Sequence, residues 1–144
     1  FLVPETHPEF FGVDALETIL KISKKIAPIK QILLDQKVIA GIGNIYASEI
    51  LFDAKISPFC KGRDLSLIEC RNIVISIRKI LKKAIIAGGS TLKDYVSTDG
   101  TIGNFQKNFK VYNKSGQKII GKPIVKIIQY GRSTFYCPDI QIKK

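Results

Sequence analysis

This 144-residue chain contains no apolar run near the ~20 residues a helix needs to cross a bilayer, so no membrane partner is expected. It opens without a charged-then-apolar leader, and the expectation is a cytoplasmic protein. Its three cysteines, Cys60, Cys70 and Cys137, are an odd number with no close spacing. That pattern excludes a disulfide framework and points to reduced thiols. The only histidine, His7, lies in an irregular proline-containing opening, which argues against a histidine-based metal site. Acidic residues are also scarce, 12 against 23 Lys and Arg, for a net charge of +11.

The placement of that charge is informative. From Gly100 onward there are nine Lys and Arg and a single acid, Asp139, a net of +8; residues 1–99 carry only +3. Most of the excess therefore lies in the last third, as expected of a surface that faces phosphates. Lys outnumbers Arg, which favours contacts to a nucleic-acid backbone over readout of base edges. With 45% hydrophobic residues the chain can bury a core. Its length suits one domain, or a helical domain with a small appendage.

Residues 1–12 read as a linker or truncated edge. Residues 13–89 follow helical spacing. Asp14 and Glu17 form a capping-box pattern ahead of an apolar stripe of Leu16, Ile19, Leu20 and Ile26, closed by Pro28. Ile29, Ile32 and Leu33 mark a second helix. Ala47, Ile50, Leu51 and Ala54 mark a third, closed by Pro58. Ser66 and Glu69 form another capping box, opening the longest helix. That helix turns Leu67, Cys70, Val74, Ile77, Leu81 and Ala84 inward and Arg71, Arg78, Lys79, Lys82 and Lys83 outward, and Gly88-Gly89 stops it. Residues 90–113 are a polar connector with interleaved aromatics. Within 114–144, Ile124–Ile128 and Arg132–Tyr136 read as a hairpin around Gln129-Tyr130-Gly131. The fold class expected is mainly α, a helical bundle with a small C-terminal β-hairpin module.

Between the second and third helices lies Ala40-Gly41-Ile42-Gly43-Asn44. Its glycines allow unusual backbone angles and close approach. Asn44 is placed to cap the third helix, whose free N–H groups form an anion site. Read alone, such a turn is more often plain punctuation, with Asn44 merely an N-cap. The full set of strings is more specific. LLDQK, GIGNIYASE, GGSTLKD and GRSTFYCP occur here in order. From about Leu16 onward the chain resembles the formamidopyrimidine-DNA glycosylase family, with its helix–two-turn–helix segment and C-terminal zinc finger.

The resemblance implies damaged-DNA binding, in the C-terminal half of a bifunctional glycosylase and AP lyase that excises oxidised purines in base-excision repair. The partner is then double-stranded DNA carrying an oxidised purine or abasic site, bound by a nucleoid-associated monomer. Asn44 and the amides around Gly43 would grip the phosphate beside an extruded nucleotide. Arg132, at the hairpin tip, would contact the lesion phosphate and donate a proton in the late elimination step. Lys30 would reach the DNA backbone or damaged base, and Tyr112 would lie near the backbone. From the residues alone, Lys30 reads equally as an exposed helix charge and Tyr112 as a half-buried aromatic. Ser97–Phe105 would be a mobile lesion-capping loop.

Two departures limit the analogy. The family's N-terminal proline nucleophile and neighbouring glutamate acid have no counterpart; Pro4-Glu5 is internal and offers no free amine. No glycosylase activity is expected of this chain alone. The family's zinc finger uses two Cys-x-x-Cys pairs, and a structural zinc needs four ligands. Here Cys137 is the one remaining candidate. Ile119-Ile120-Gly121-Lys122-Pro123-Ile124 fits the family pattern with a Cys missing on each side of the Ile pair, and one residue is missing after Asp139. Zinc, expected for the family, is therefore in doubt for a degenerate finger over 114–144. The main rival reading is a free-standing, non-enzymatic nucleic-acid-binding module, against which GRSTFYCP argues.

Overall fold

A computed structural model describes residues 15–39, 41–86 and 109–143. Among them the order is α1 (Ala15–Ser23), α2 (Ile29–Leu34), α3 (Asn44–Ala54), a 3-10 turn (Gly62–Asp64), α4 (Leu67–Ile86), β1 (Lys118–Ile119), β2 (Lys122–Pro123), β3 (Val125–Gln129) and β4 (Arg132–Tyr136). No described helix is long and apolar enough to cross a membrane. His7, Pro4-Glu5, the Asp14 capping position, Gly88-Gly89 and the Ser97–Phe105 loop lie outside the described residues.

The helices enclose one apolar core. Ile29, Ile32 and Leu33 of α2 meet Ala47, Ile50 and Leu51 of α3 and Cys70, Ile73, Val74, Ile77 and Leu81 of α4. Cys70 is buried there as expected, and burial raises its thiol pKa. The Ser66–Glu69 capping box is formed in both directions, Glu69 N–H to Ser66 Oγ at 3.1 Å and Ser66 N–H to Glu69 Oε1 at 2.9 Å. Gly62 lets the 3-10 turn press against α1 and α2. A Cβ there would collide with the Ile22 carbonyl oxygen and lie 2.6 Å from Ile32 Cδ1.

Four expectations about faces and boundaries need correction. Helix α1 buries Thr18, Ile19 and Ile22, whereas Leu16, Leu20 and Ile26 are exposed. The helix ends at Ser23, five residues before Pro28, so Ile26 sits in the following loop and the stripe turns by one position. Leu67, the first residue of α4, is exposed. Arg78 is buried rather than solvated, on the α4 face that also buries Val74 and Ile77. Asn44 does not cap α3; Gly43 is the cap residue, and Asn44 is already helical.

The C-terminal module contains two antiparallel hairpins. β1 pairs with β2 through Ile120-Gly121, and β3 pairs with β4 through Tyr130-Gly131. Gln129 belongs to the strand, paired with Arg132, so the larger hairpin has a two-residue turn rather than the three-residue one expected. A small second core of Val111, Ile124 and Phe135 supports the module. Tyr112 joins the two cores, edge-on to Phe135 at 4.8 Å and to Phe109 at 6.1 Å.

Candidate nucleic-acid interface

The turn before α3 is shaped by side-chain amides and by one glycine. Gly41 takes φ +93°, a conformation that L residues rarely adopt. Its N–H donates to Gln36 Oε1 at 2.8 Å, while Gln36 Nε2 reaches the Ile42 carbonyl at 3.4 Å. Asp35 Oδ1 accepts the Lys37 N–H at 2.9 Å, which closes the preceding turn. These bonds explain why Asp35 and Gln36 stand in the LLDQK string. Gly43 faces open space, with nothing within 4 Å of where its Cβ would be. Gly43 is exposed at the N-cap position of α3.

Lys30 ties this corner to the hairpin. Its Nζ donates to Asn44 Oδ1 at 2.6 Å, to Thr134 Oγ1 at 2.6 Å and to the Ser133 carbonyl at 3.1 Å. Asn44 Nδ2 donates to that same carbonyl at 2.9 Å. One lysine therefore joins α2, the first residue of α3 and β4, across more than 100 residues of sequence. Lys30 is only 1% exposed. Burial, reinforced by the Arg132 charge, lowers its pKa to about 8. All three ammonium protons have acceptors within the chain. The expected outward reach of Lys30 toward DNA is thus not what its geometry provides; it acts from inside.

The amide of Asn44 uses its oxygen and one N–H internally, leaving one N–H to donate outward. Arg132 is exposed at the start of β4, next to the Ser133 carbonyl on which Lys30 and Asn44 converge. The start of α3, with Gly43 and Asn44, is thus held beside the strand that begins at Arg132. Tyr112 is half-buried in the aromatic cluster with Phe109 and Phe135.

Three further side chains hold the surrounding elements together. Glu49 accepts the N–H groups of Lys110, Val111 and Tyr112 at 2.6, 2.9 and 2.9 Å. Burial raises its carboxyl pKa, and the three N–H donors oppose that shift. Gln129 Nε2 donates to the Pro58 carbonyl at 3.0 Å, and its Oε1 accepts from Thr134 at 3.2 Å. Gln141 accepts the Cys137 N–H at 2.8 Å and donates to the Ile56 carbonyl at 2.9 Å. The sequence carries Glu49 as the last residue of GIGNIYASE and Gln129 as a turn residue, with no sign of these bonds, and Gln141 carries no signal.

The donor set does not fit a four-ligand zinc site. Cys137 is the module's one thiol, while Cys60 and Cys70 belong to the helical core. Among the described residues no three His, Cys, Asp or Glu side chains are grouped to hold a metal.

Taken together, a helix–turn–helix corner bonded to a cationic β-hairpin defines a helix–two-turn–helix protein. Residues 2–96 match the formamidopyrimidine-DNA glycosylase H2TH domain. The chain is 51% identical over 139 residues to the formamidopyrimidine-DNA glycosylase of Zymomonas mobilis, covering 96% of this chain and 51% of that protein. It is 47% identical over 138 residues to that of Rhodospirillum centenum, covering 90% and 48%. Among solved structures, it resembles the Lactococcus lactis Fpg in complex with DNA containing an abasic site, with a TM-score of 0.81 and 38% identity over 90% of this chain and 48% of that one. A second Lactococcus lactis complex, a mutant with DNA containing Fapy-dG, gives a TM-score of 0.81 and 39% identity over the same shares. The chain belongs to the formamidopyrimidine-DNA glycosylase family. It spans about half the length of these relatives.

Proposed function

We propose that this chain is a damaged-DNA-binding segment of base-excision repair, corresponding to the C-terminal half of a bifunctional glycosylase and AP lyase for oxidised purines. The observation that carries the reading is the convergence of Lys30 and Asn44 on the Ser133 carbonyl, beside Arg132. It ties the start of α3 to the strand that carries Arg132, which supports a joint grip on oxygens of a single DNA strand. The solved relatives hold DNA with an abasic or Fapy-dG site, and the same class of partner suits this face. An enzyme acting on a base must first turn the nucleotide out of the stack, at a cost of a few kcal/mol. Phosphate clamps on the bent backbone help to offset that cost.

On this reading the segment binds and orients, and a separate β-rich half supplies the amine nucleophile and the acid. Arg132 remains a candidate proton donor in the later elimination step. The proposed setting is the nucleoid, with the segment acting as a monomer. The test is equilibrium binding to duplex bearing an abasic-site analogue, compared with the same duplex undamaged. Tighter binding to the lesion duplex is expected, weakening by roughly 0.9 log units per log unit of salt for each phosphate contact. Equal, weak binding to both would refute the repair reading.

A further inference from the structure

We propose that Tyr130 contacts DNA, its ring packing on a base face exposed where the duplex opens beside the phosphate held by Arg132. The inference rests on the damaged-DNA reading above and extends it to a residue with no assigned role. It begins with the hairpin turn. Tyr130 and Gly131 have φ of +51° and +76°, both left-handed, as a two-residue turn of this twist requires. The first position of such a turn favours Asn, Asp or Gly, because a short or absent side chain tolerates that backbone. A tyrosine there carries a conformational cost.

Packing within the chain does little to offset it, since Tyr130 is 66% exposed. By contrast, Tyr112 and Tyr136 both pack edge-on against phenylalanines. Strained, exposed residues of this sort concentrate at ligand contacts. The surroundings indicate which ligand. Ile128, also 66% exposed, extends the apolar tip. Arg132 lies two residues away, Lys126 is exposed on the same hairpin, and residues 109–138 contain no Asp or Glu. A cationic hairpin with an aromatic tip suits a nucleic acid, whose phosphates meet the cations and whose bases offer π faces to the ring. The lesion site is where such a face is uncovered.

Two variants test this. Tyr130→Asn installs the residue the turn favours, and Tyr130→Phe keeps the ring. Each is titrated, with the parent and Arg132→Ala, against duplex carrying a tetrahydrofuran abasic-site analogue, and each is melted. The expected result is that Tyr130→Asn unfolds at the parent's temperature or above yet binds about fivefold or more weakly. Tyr130→Phe should bind like the parent. Parent-like binding by Tyr130→Asn, with Arg132→Ala impaired, would overturn this inference and leave the phosphate-clamp reading standing. A Phe variant as weak as the Asn variant would also overturn it, by assigning the loss to the hydroxyl. A lower unfolding temperature for Tyr130→Asn would remove the turn argument. Parent-like binding by Arg132→Ala would undo the clamp reading beneath it.

Discussion

Lys30 shows how one residue links the fold to its proposed task. Buried and bonded to Asn44, Thr134 and the Ser133 carbonyl, it has a pKa lowered to about 8, first by desolvation and then by the Arg132 charge. A phosphate on Arg132 would neutralise that second influence and raise the value. Binding then takes up a proton wherever free Lys30 is partly neutral, so affinity should fall as pH rises through about 8. The expected outcome is a few-fold loss between pH 7 and 9.5 for the parent and a flat profile for Lys30→Met. Parallel profiles would contradict this role. Stability alone should move the opposite way. The folded pKa lies below the unfolded one, so the folded chain gains stability as pH climbs from 8 toward the ordinary lysine range. Little of this was legible in the sequence. Spacing places Lys30 on a helix beside Ile29, but its burial depends on β4, over 100 residues away. The surrounding string marked Asn44 as a candidate, but its bonding partners were not legible.

At the scale of elements, periodicity located every described helix and the larger hairpin. It misjudged α1, where the helix ends before Ile26 and the buried stripe turns by one position. It also could not show that Arg78 faces inward, because a cation at helical spacing reads as solvated until its neighbours are known. The β1–β2 pair was not anticipated, being only two residues per strand. The hairpin module is tied to the helical body by buried hydrogen bonds and a small core. Gln129 reaches the Pro58 carbonyl, Gln141 reaches the Ile56 carbonyl, and Phe135 fills the small core with Val111 and Ile124. Each such buried bond contributes about 1 kcal/mol net and costs more when one partner is lost. The chain is therefore expected to bind DNA equally well before and after treatment with a strong chelator, and to carry no stoichiometric zinc by elemental analysis. One zinc per chain, with binding lost on chelation, would contradict the hydrogen-bonded account of the module.

For the molecule as a whole, composition pointed to a phosphate-bearing ligand and the motif strings to the family, while the proposed site rests on three-dimensional convergence. A net charge of +8 beyond Gly100 could serve any phosphate-bearing ligand. What narrows it is that the hairpin carrying Arg132 is bonded to the glycine corner through Lys30 and Asn44. The measurement that tests this most directly is the affinity of an Asn44→Ala/Arg132→Ala double variant for duplex carrying an abasic-site analogue, with helicity followed by circular dichroism. The account predicts a parent-like helical spectrum and binding too weak to distinguish lesion from undamaged duplex. A folded double variant that binds lesion duplex as tightly as the parent would contradict it.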